Sequence, residues 1–197
     1  MEKPEDVMFS PAVKAEQVRL GSREAFEDRD WQTEITDDLR QFLAAIDTFF
    51  FATASADGRP YIQHRGGPPG FLKPIGSHML AFADFAGNRQ YITLGHLKEN
   101  DRAHIFILHY ATQQRLKLWG RARVIEDDAE LMERLVDPSY KSRPQRAIAF
   151  RIEAWDSNCR QHIVARYTEA EIAPAVNQLT QRIKELEEEV ARLKNRV

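Results

Sequence analysis

The sequence has one cysteine, no long apolar run and no excess of basic residues, and each absence excludes a class of protein. The single cysteine, Cys159, cannot build a disulfide framework within the chain. No apolar stretch resembles a signal peptide or a membrane span. The formal net charge of -2 lacks the basic balance usual for nucleic-acid binders, although it does not exclude a local basic patch. We therefore expect a cytoplasmic protein that binds neither nucleic acid nor a membrane.

The 197 residues suit one domain of ordinary size with an appendage. Residues 1–31 are rich in charge and should form a peripheral helical arm. Within it, PAVKAEQVRL predicts a short helix, and GSREAFEDRD predicts a second helix or a loop. We place the central domain at residues 32–166 and a C-terminal helix at 167–197.

The central domain should begin with a helix and continue as strands. Apolar residues recur at helical spacing from Ile35 to Ile46, with Thr36 as N-cap. Six strands are predicted, at residues 49–55, 61–65, 79–84, 103–110, 115–125 and 147–155. Further helices are expected within residues 87–101 and in DDAELMERLVD. Short turns between most strands predict a mainly β fold, a six-stranded antiparallel barrel with flanking helices.

The tail carries a heptad repeat. β-Branched residues occupy every a position and leucine every d position: Val176, Leu179, Ile183, Leu186, Val190, Leu193 and Val197. This choice favours a parallel two-stranded coiled coil. Arg182 would face Glu187 of a partner chain, and Glu189 would face Lys194. The alternative is an amphipathic helix folded back on its own barrel, because some three heptads make a coil of marginal stability.

The stretch YIQHRGGPPGF, residues 61–71, gathers polar groups where a strand ends. The preceding FFFATASADGRP predicts a strand that enters an Asp-Gly turn, so residues 61–65 should return as a hairpin strand. On this stretch alone, strand termination with Arg65 in solvent explains the glycines and prolines without a ligand.

Two other positions carry cations in suggestive places. Period-two alternation puts Arg115, Lys117 and Trp119 on one face of a strand, which suits an anionic aromatic ligand. Arg89 follows Gly87 and Asn88, where helix-terminal N–H groups and a guanidinium could hold a phosphate. Each has a plainer interpretation, since a charged strand face is usually solvated and Gly-Asn-Arg is a common turn.

Taken together, these segments resemble a known family. GRPYIQHRGGPPGF, LAFADFAGNRQYITLGHLKENDRAHIFIL, RLKLWGRARVIED and EAWDSNCRQHI are similar to the pyridoxamine 5'-phosphate oxidase-related family of FMN-binding split barrels, over residues 33–165. The resemblance implies a six-stranded split barrel that forms a homodimer. It also implies FMN in clefts at the dimer interface, so that both subunits complete each site.

The resemblance assigns a strand that runs along the flavin and its ribityl phosphate, with side chains from Gln63, His64 and Arg65. Gly66 would let the backbone approach the cofactor closely. Ala83 and Asp84 would line the ring or the ribityl chain. Without the resemblance, strand termination would remain the better explanation of this segment.

The phosphate and ring contacts follow in the same way. Asn88 and Arg89 match the Ser-Arg pair that grips the phosphate in the oxidases, but Gln90 stands in place of the family's next lysine. Arg115 matches a flavin-contacting Gln, and it could replace the missing charge together with Lys117 on the same face. Trp155 resembles a late tryptophan near the flavin, contributed across the interface.

No acid or base is obvious, and no metal site is predicted. His64 is the best acid–base candidate and His162 is comparable, yet a histidine in such a position more often makes a structural hydrogen bond. Cys159 is expected to serve packing rather than act as a nucleophile.

The chain departs from the true oxidases at the substrate end. Those enzymes carry an Arg-x-His signature for the substrate phosphate. Arg160 and His162 keep its spacing in NCRQHIVARY without its context, so we do not assign vitamin B6 oxidation. We expect an FMN-dependent oxidoreductase that acts on an unidentified small molecule. The alternatives are a non-catalytic flavin-binding or ligand-sensing module, and a coiled-coil scaffold without flavin.

Overall fold

The computed structural model describes residues 3–158 and 161–195, and it divides the chain into two compact units. The first unit comprises Met1–His109 and Gln114–Arg160, and the second comprises Tyr110–Gln113 and Gln161–Val197. The expectations for Cys159, Arg160 and Val197 fall outside the described residues.

The first unit is built on a seven-stranded antiparallel sheet with the strand order β2-β1-β5-β6-β7-β4-β3. The strands are β1 Thr48–Ala54, β2 Pro60–Gly66, β3 Lys73–Pro74, β4 Met79–Phe85, β5 Arg102–His109, β6 Gln114–Ile125 and β7 Pro144–Asn158. All six predicted strands are present, and the mainly β fold class is confirmed. The predicted strand count was one short, because the two residues of β3 are too few to show an alternating pattern.

Seven helices accompany the sheet in the described part of the chain. They are α1 Pro4–Met8, α2 Pro11–Arg19, α3 Glu24–Glu27, α4 Asp37–Ala45, α5 Ile92–Glu99, α6 Ala129–Leu135 and α7 Glu169–Lys194. The predicted N-cap of α4 is confirmed, because the Thr36 hydroxyl accepts a hydrogen bond from the Leu39 N–H at 3.2 Å. Sequence periodicity missed α1, whose five residues make little more than one turn. No described helix combines the length and apolarity needed to cross a bilayer.

Aromatic side chains fill the core between the sheet and α4. Phe49 and Phe51 alternate with more exposed residues along β1 and are buried, as are Phe82 on β4 and Phe150 on β7. The rings of Phe51 and Phe82 meet edge to face, with centroids 5.7 Å apart. Full burial of one such side chain contributes about 1.5–3 kcal/mol. This core fixes the strands whose ends carry the polar groups described below.

A β-bulge interrupts the pairing of β6 with β7. The register shifts between Trp119 and Gly120. A Cβ atom on Gly120 would lie only 2.0 Å from the carbonyl oxygen of Arg151, so glycine is required by the close approach of the two backbones. The bulge therefore separates the half of β6 that carries Arg115 and Lys117 from the half beyond it.

In the second unit, a segment that is stabilised by hydrogen bonds within the same unit precedes α7. The Gln113 side-chain amide donates a hydrogen bond to the Ile163 carbonyl at 2.6 Å. The helix begins with a capping box, in which Thr168 and Glu171 each bond the other's backbone N–H. The predicted C-terminal helix is therefore present over 26 residues.

Candidate functional site

Five of the predicted cofactor-binding residues line one cleft, which we call the β2–β4 cleft. They are Gln63, Arg65, Asp84, Asn88 and Arg89. The strand alternation explains the grouping on β2, since Tyr61, Gln63 and Arg65 share one face while Ile62 and His64 lie on the other. The cleft is thus formed by one face of β2, the end of β4 and the loop that leads into α5.

Asp84 is held in this cleft by two arginines. Arg65 donates a hydrogen bond to one carboxylate oxygen, and the Nε atom of Arg146 lies 3.7 Å from the other. The side chains of Arg65 and Asp84 are only 12% and 11% exposed. Removing one partner from such a pair leaves a buried charge uncompensated, which costs several kcal/mol. Arg65 therefore has a structural role before any ligand binds.

The same arginines also present unused donors. The Nε atoms of Arg65 and Arg146 are buried and have no hydrogen-bond partner within the described structure. Leaving a buried donor unsatisfied costs about 1–3 kcal/mol. Arg65 lines the β2–β4 cleft, where an anionic ligand would remove that cost, whereas Arg146 lines a neighbouring cavity.

The loop before α5 is strained. Arg89 and Tyr91 have φ angles of 61° and 54°, in the left-handed region that non-glycine residues seldom occupy. The side chain of Asn88 accepts a hydrogen bond from the N–H of Gln90 at 3.1 Å. Such strain often occurs at ligand sites. Here it coincides with an exposed Arg89 that makes no ion pair with any described residue.

The first turn of α5 adds backbone donors to the cleft. Its N-cap residue, Tyr91, provides no side-chain cap, and the turn contains no acidic residue. Thr93 lines the cleft and donates its hydroxyl proton to the side-chain oxygen of Gln63 at 3.1 Å. Uncapped N–H groups at a helix start attract anions.

A second cleft, the Trp155 cleft, lies between α4 and the β6–β7 pair. It contains two more predicted residues, Arg115 and Trp155, beside Phe42 and Gln32, and has a volume of about 620 Å³. The Trp155 indole N–H donates to the Glu34 carbonyl oxygen at 2.8 Å, which fixes the ring. The Nε atom of Arg115 is buried without a hydrogen-bond partner in the described structure. This cleft therefore combines an aromatic wall with an unpaired donor.

The alternation predicted for β6 is confirmed, because Leu116 and Leu118 are buried and the residues between them are less so. Lys117 does not share the Trp155 cleft. Its Nζ atom lies 3.6 Å from an Asp156 oxygen and 5.3 Å from the ring centre of Trp119. The charge of Lys117 is thus partly balanced within its own strand pair.

The other three predicted residues lie outside both clefts. His64 is exposed on the opposite face of β2, where its Nε2 atom lies 2.5 Å from the Thr48 hydroxyl. Gly66 follows on the same strand, with the imidazole of His64 3.2 Å from where its Cβ would be. Ala83 is buried in the small apolar cluster beneath α6. The roles assigned to these three residues remain predictions.

Arg146 was not predicted from the sequence, because it belongs to no recognisable motif. It reaches Asp84 because β4 and β7 pair with these two residues as register partners. Asp84 and Arg146 are far apart in the sequence, so only the pairing of β4 with β7 brings Arg146 to Asp84. No group of three or more possible metal-binding side chains occurs among the described residues.

The sequence model of pyridoxamine 5'-phosphate oxidase matches residues 35–159, well over half of the chain. The chain belongs to the pyridoxamine 5'-phosphate oxidase family. The resemblance is therefore confirmed, and the family match includes every described residue that lines the two clefts except Gln32, but not α1, α2, α3 or α7. No curated protein sequence matches the chain.

Several solved structures are similar to this chain at low sequence identity. HupZ from Group A Streptococcus is 14% identical with a TM-score of 0.51, over 68% of this chain and 99% of its own. An FMN-binding protein from Syntrophomonas wolfei is 16% identical with a TM-score of 0.49, over 75% and 95%. A protein from Clostridium acetobutylicum, described as belonging to the pyridoxinephosphate oxidase family, is 16% identical with a TM-score of 0.48, over 68% and 94%. The split-barrel fold of the pyridoxamine 5'-phosphate oxidase family is thereby confirmed.

Proposed function

We propose that this chain is an FMN-binding flavoprotein that acts as a flavin-dependent oxidoreductase on a small molecule. The observation that carries the proposal is the β2–β4 cleft, where two arginines, one buried unpaired donor and a helix start converge in a member of the pyridoxamine 5'-phosphate oxidase family. We further propose that the protein works as a homodimer with its flavin sites between the subunits.

The charge balance of the β2–β4 cleft suits the FMN phosphate. Arg65 and Arg89 line the cleft and contribute two positive charges, and Asp84 removes one. Arg146 lines a neighbouring cavity, and it also pairs with Glu126. The remaining charge of about +1 offsets part of the charge of up to about -2 on a phosphate monoester near pH 7. The Nε donor of Arg65, the Arg89 guanidinium and the first N–H groups of α5 would hold the phosphate oxygens.

The Trp155 cleft suits the flavin ring. Trp155 and Phe42 provide apolar aromatic surface, and Arg115 provides a cation with a free donor. A cation beside the N1 and C2 edge of the ring stabilises the negative charge that accumulates there on reduction. Arg115 is therefore the residue that would tune the cofactor.

The sizes of the clefts support an assembly of two chains. The β2–β4 cleft has a volume of only about 50 Å³. Small-molecule sites commonly measure roughly 300–1,000 Å³, so this cleft can take a phosphate but not a whole flavin. The Trp155 cleft is large enough, and it shares no lining residue with the β2–β4 cleft. A cavity of about 720 Å³ beside α5 shares Tyr91 and Leu94 with the β2–β4 cleft, but Tyr91 is the one aromatic residue among the described residues that line it. A partner subunit's Trp155 cleft would supply the ring pocket.

Bound FMN would supply hydride or single-electron transfer. The chain's own residues bind, orient and shield it, and the described residues that line the two clefts include no imidazole or thiol. That observation favours a hydride or electron transfer that needs no proton from such a group. It equally favours the second candidate function, a flavin-binding module without turnover.

The phosphate contact is tested by the Arg89→Ala variant. Arg89 is exposed and unpaired in the described structure, so its loss should not disturb folding. Arg65→Ala, by contrast, would remove the ion-pair partner of the buried Asp84 carboxylate. A charge-assisted hydrogen bond is worth about 1.5–3 kcal/mol, so the Kd for FMN should rise roughly tenfold to a hundredfold. The measurement is quenching of flavin fluorescence during titration with protein.

Arg59→Ala is the matched control. Arg59 is 83% exposed in the turn between β1 and β2, where it pairs with Asp57, and its removal changes the net charge by the same amount. FMN affinity should stay unchanged in this variant. Equal weakening in both variants, or no FMN binding by the native chain, would refute the proposed site. Turnover of the FMN-loaded protein with a reduced nicotinamide would separate the oxidoreductase from the passive module.

A further inference from the structure

The helix α7 exposes a continuous apolar seam. Seven residues at the a and d positions of the heptad repeat form it: Ile172, Val176, Leu179, Ile183, Leu186, Val190 and Leu193. Each is between 43% and 65% exposed, and no residue of the helix is buried. At 1.5 Å per residue the seam is about 32 Å long. An exposed apolar strip of this length normally marks an interaction surface.

The other faces of α7 carry mainly polar and charged residues that suit contact with water. Pro174 lies at the f position, directly opposite the seam, so its missing N–H affects the outer face only. Arg182 and Glu185 form an ion pair of 3.2 Å along the helix surface. The capping box stabilises the first turn. A lone amphipathic helix is nevertheless marginal in water, since most helical stability comes from packing of the apolar face.

We propose that α7 pairs in parallel with α7 of a second copy of this chain, as a two-stranded coiled coil. From Val176 onward the a positions of α7 are Val176, Ile183 and Val190, and its d positions are leucine, the combination that favours two parallel strands. This inference goes beyond the proposed function, because it does not depend on flavin.

The charges beside the seam agree with a parallel partner. In a parallel coil a g residue faces the e residue of the next heptad on the other helix. Arg182 then meets Glu187 of the partner subunit, and Glu189 meets the partner's Lys194. Two-fold symmetry repeats each attraction, so four favourable contacts flank the seam. A parallel coil and an isologous dimer of barrels have the same two-fold symmetry, so one two-chain assembly can contain both.

Disulfide trapping in the full-length chain tests the pairing. In a Cys159→Ser background, Leu193→Cys places one thiol at a d position, where parallel in-register helices bring the two Cα atoms within disulfide reach. Mild oxidation at micromolar concentration should convert most of the protein into a covalent dimer. Gln181→Cys, at an outward f position, is the matched control and should cross-link little. Absence of the Leu193→Cys dimer, or equal yields from both variants, would overturn the proposal.

Charge reversal tests the orientation. Glu187→Lys should reduce the cross-linked yield several-fold, because it opposes Arg182 across the seam, and the double variant Arg182→Glu with Glu187→Lys should restore it. Glu185→Lys makes the same charge change at an outer position and breaks the pair with Arg182 within the helix. It should have the smaller effect. In an antiparallel pair the g residues of the two helices face each other, so the double variant would not restore the cross-linked yield. That result would refute the parallel arrangement.

Discussion

Among the single residues of the candidate site, Asp84 carries the negative charge that the neighbouring arginines must balance. A carboxylate next to a phosphate would repel it, yet this carboxylate is neutralised by Arg65 and approached by Arg146. Because Arg65 is engaged with Asp84, its contribution to ligand binding would come from the unpaired Nε donor. Arg65 therefore both holds the cleft together and offers a donor to a ligand, whereas the exposed Arg89 is available for ligand binding alone.

A second residue, His104 on β5, has an unusual environment. Its ring lies edge to face against Trp119, with centroids 4.9 Å apart. Burial, and then the positive charge of Lys117, lower the pKa of His104 to about 4. The imidazole is therefore neutral in the folded protein at neutral pH.

We predict that His104 makes the fold sensitive to mild acid. Below a pH of about 6.5 the unfolded chain binds a proton at this imidazole while the folded chain does not, so stability is lost as the pH falls from about 6.5 towards 4. Between pH 7.5 and pH 5 the loss should be about 1–2 kcal/mol. Urea unfolding of the native chain and of His104→Gln at both pH values measures it. The variant should lose correspondingly less stability, and identical losses would contradict the prediction.

Among the elements, the pairing of β6 with β7 is the one that depends on a single glycine. The bulge at Gly120 lets the two backbones approach so closely that no side chain fits. On one side of the bulge, β7 places Arg146 next to Asp84. On the other side, β6 places Arg115 in the Trp155 cleft. One strand pair thus contributes to both clefts.

Gly120→Ala should destabilise the protein by about 1–3 kcal/mol, because the added methyl group must displace the Arg151 backbone. Chemical denaturation followed by far-UV circular dichroism measures the change. Gly95→Ala is the control: that glycine lies inside α5 with nothing within 4 Å of the added Cβ. It should stabilise the helix by up to about 1 kcal/mol. A native-like stability for Gly120→Ala would show that the backbones can separate at little cost.

At the scale of the whole molecule, the question is how the two clefts combine. Each has one of the features that a flavin requires, namely phosphate donors in the β2–β4 cleft and aromatic surface in the Trp155 cleft. Under the proposed function, each flavin takes its phosphate contacts from one chain and its ring contacts from the other. Variants in the two clefts would then complement each other.

Co-expression of Arg89→Ala with Arg115→Ala chains tests this arrangement. Each variant alone should bind FMN weakly, because both of its sites are damaged. Random pairing makes half of the dimers mixed, and a mixed dimer has one intact site, so about a quarter of all sites should recover native affinity. Flavin titration of the co-expressed protein measures that fraction. If each site lay within one chain, no recovery would occur.

Much of the fold could be read from local patterns. The alternation of Leu116 and Leu118 with Arg115 and Lys117 is visible in sequence because side chains on a strand change faces at every residue. The N-cap at Thr36 and the heptads of α7 are equally local. Such patterns depend on neighbours within a few positions, so they survive without knowledge of the tertiary structure. Elements too short for a pattern, α1 and β3, were missed for the same reason.

Local patterns in the amino-acid sequence were enough to predict the strands and the long helices, and the family resemblance predicted the residues expected around a cofactor. Which of these residues meet depends on the packing of the strands. This packing joined Arg146 to Asp84 through strand register and kept Arg115 and Trp155 apart from Arg65. These relations depend on pairings between residues distant in the chain, and no short-range pattern encodes the register in which two strands align.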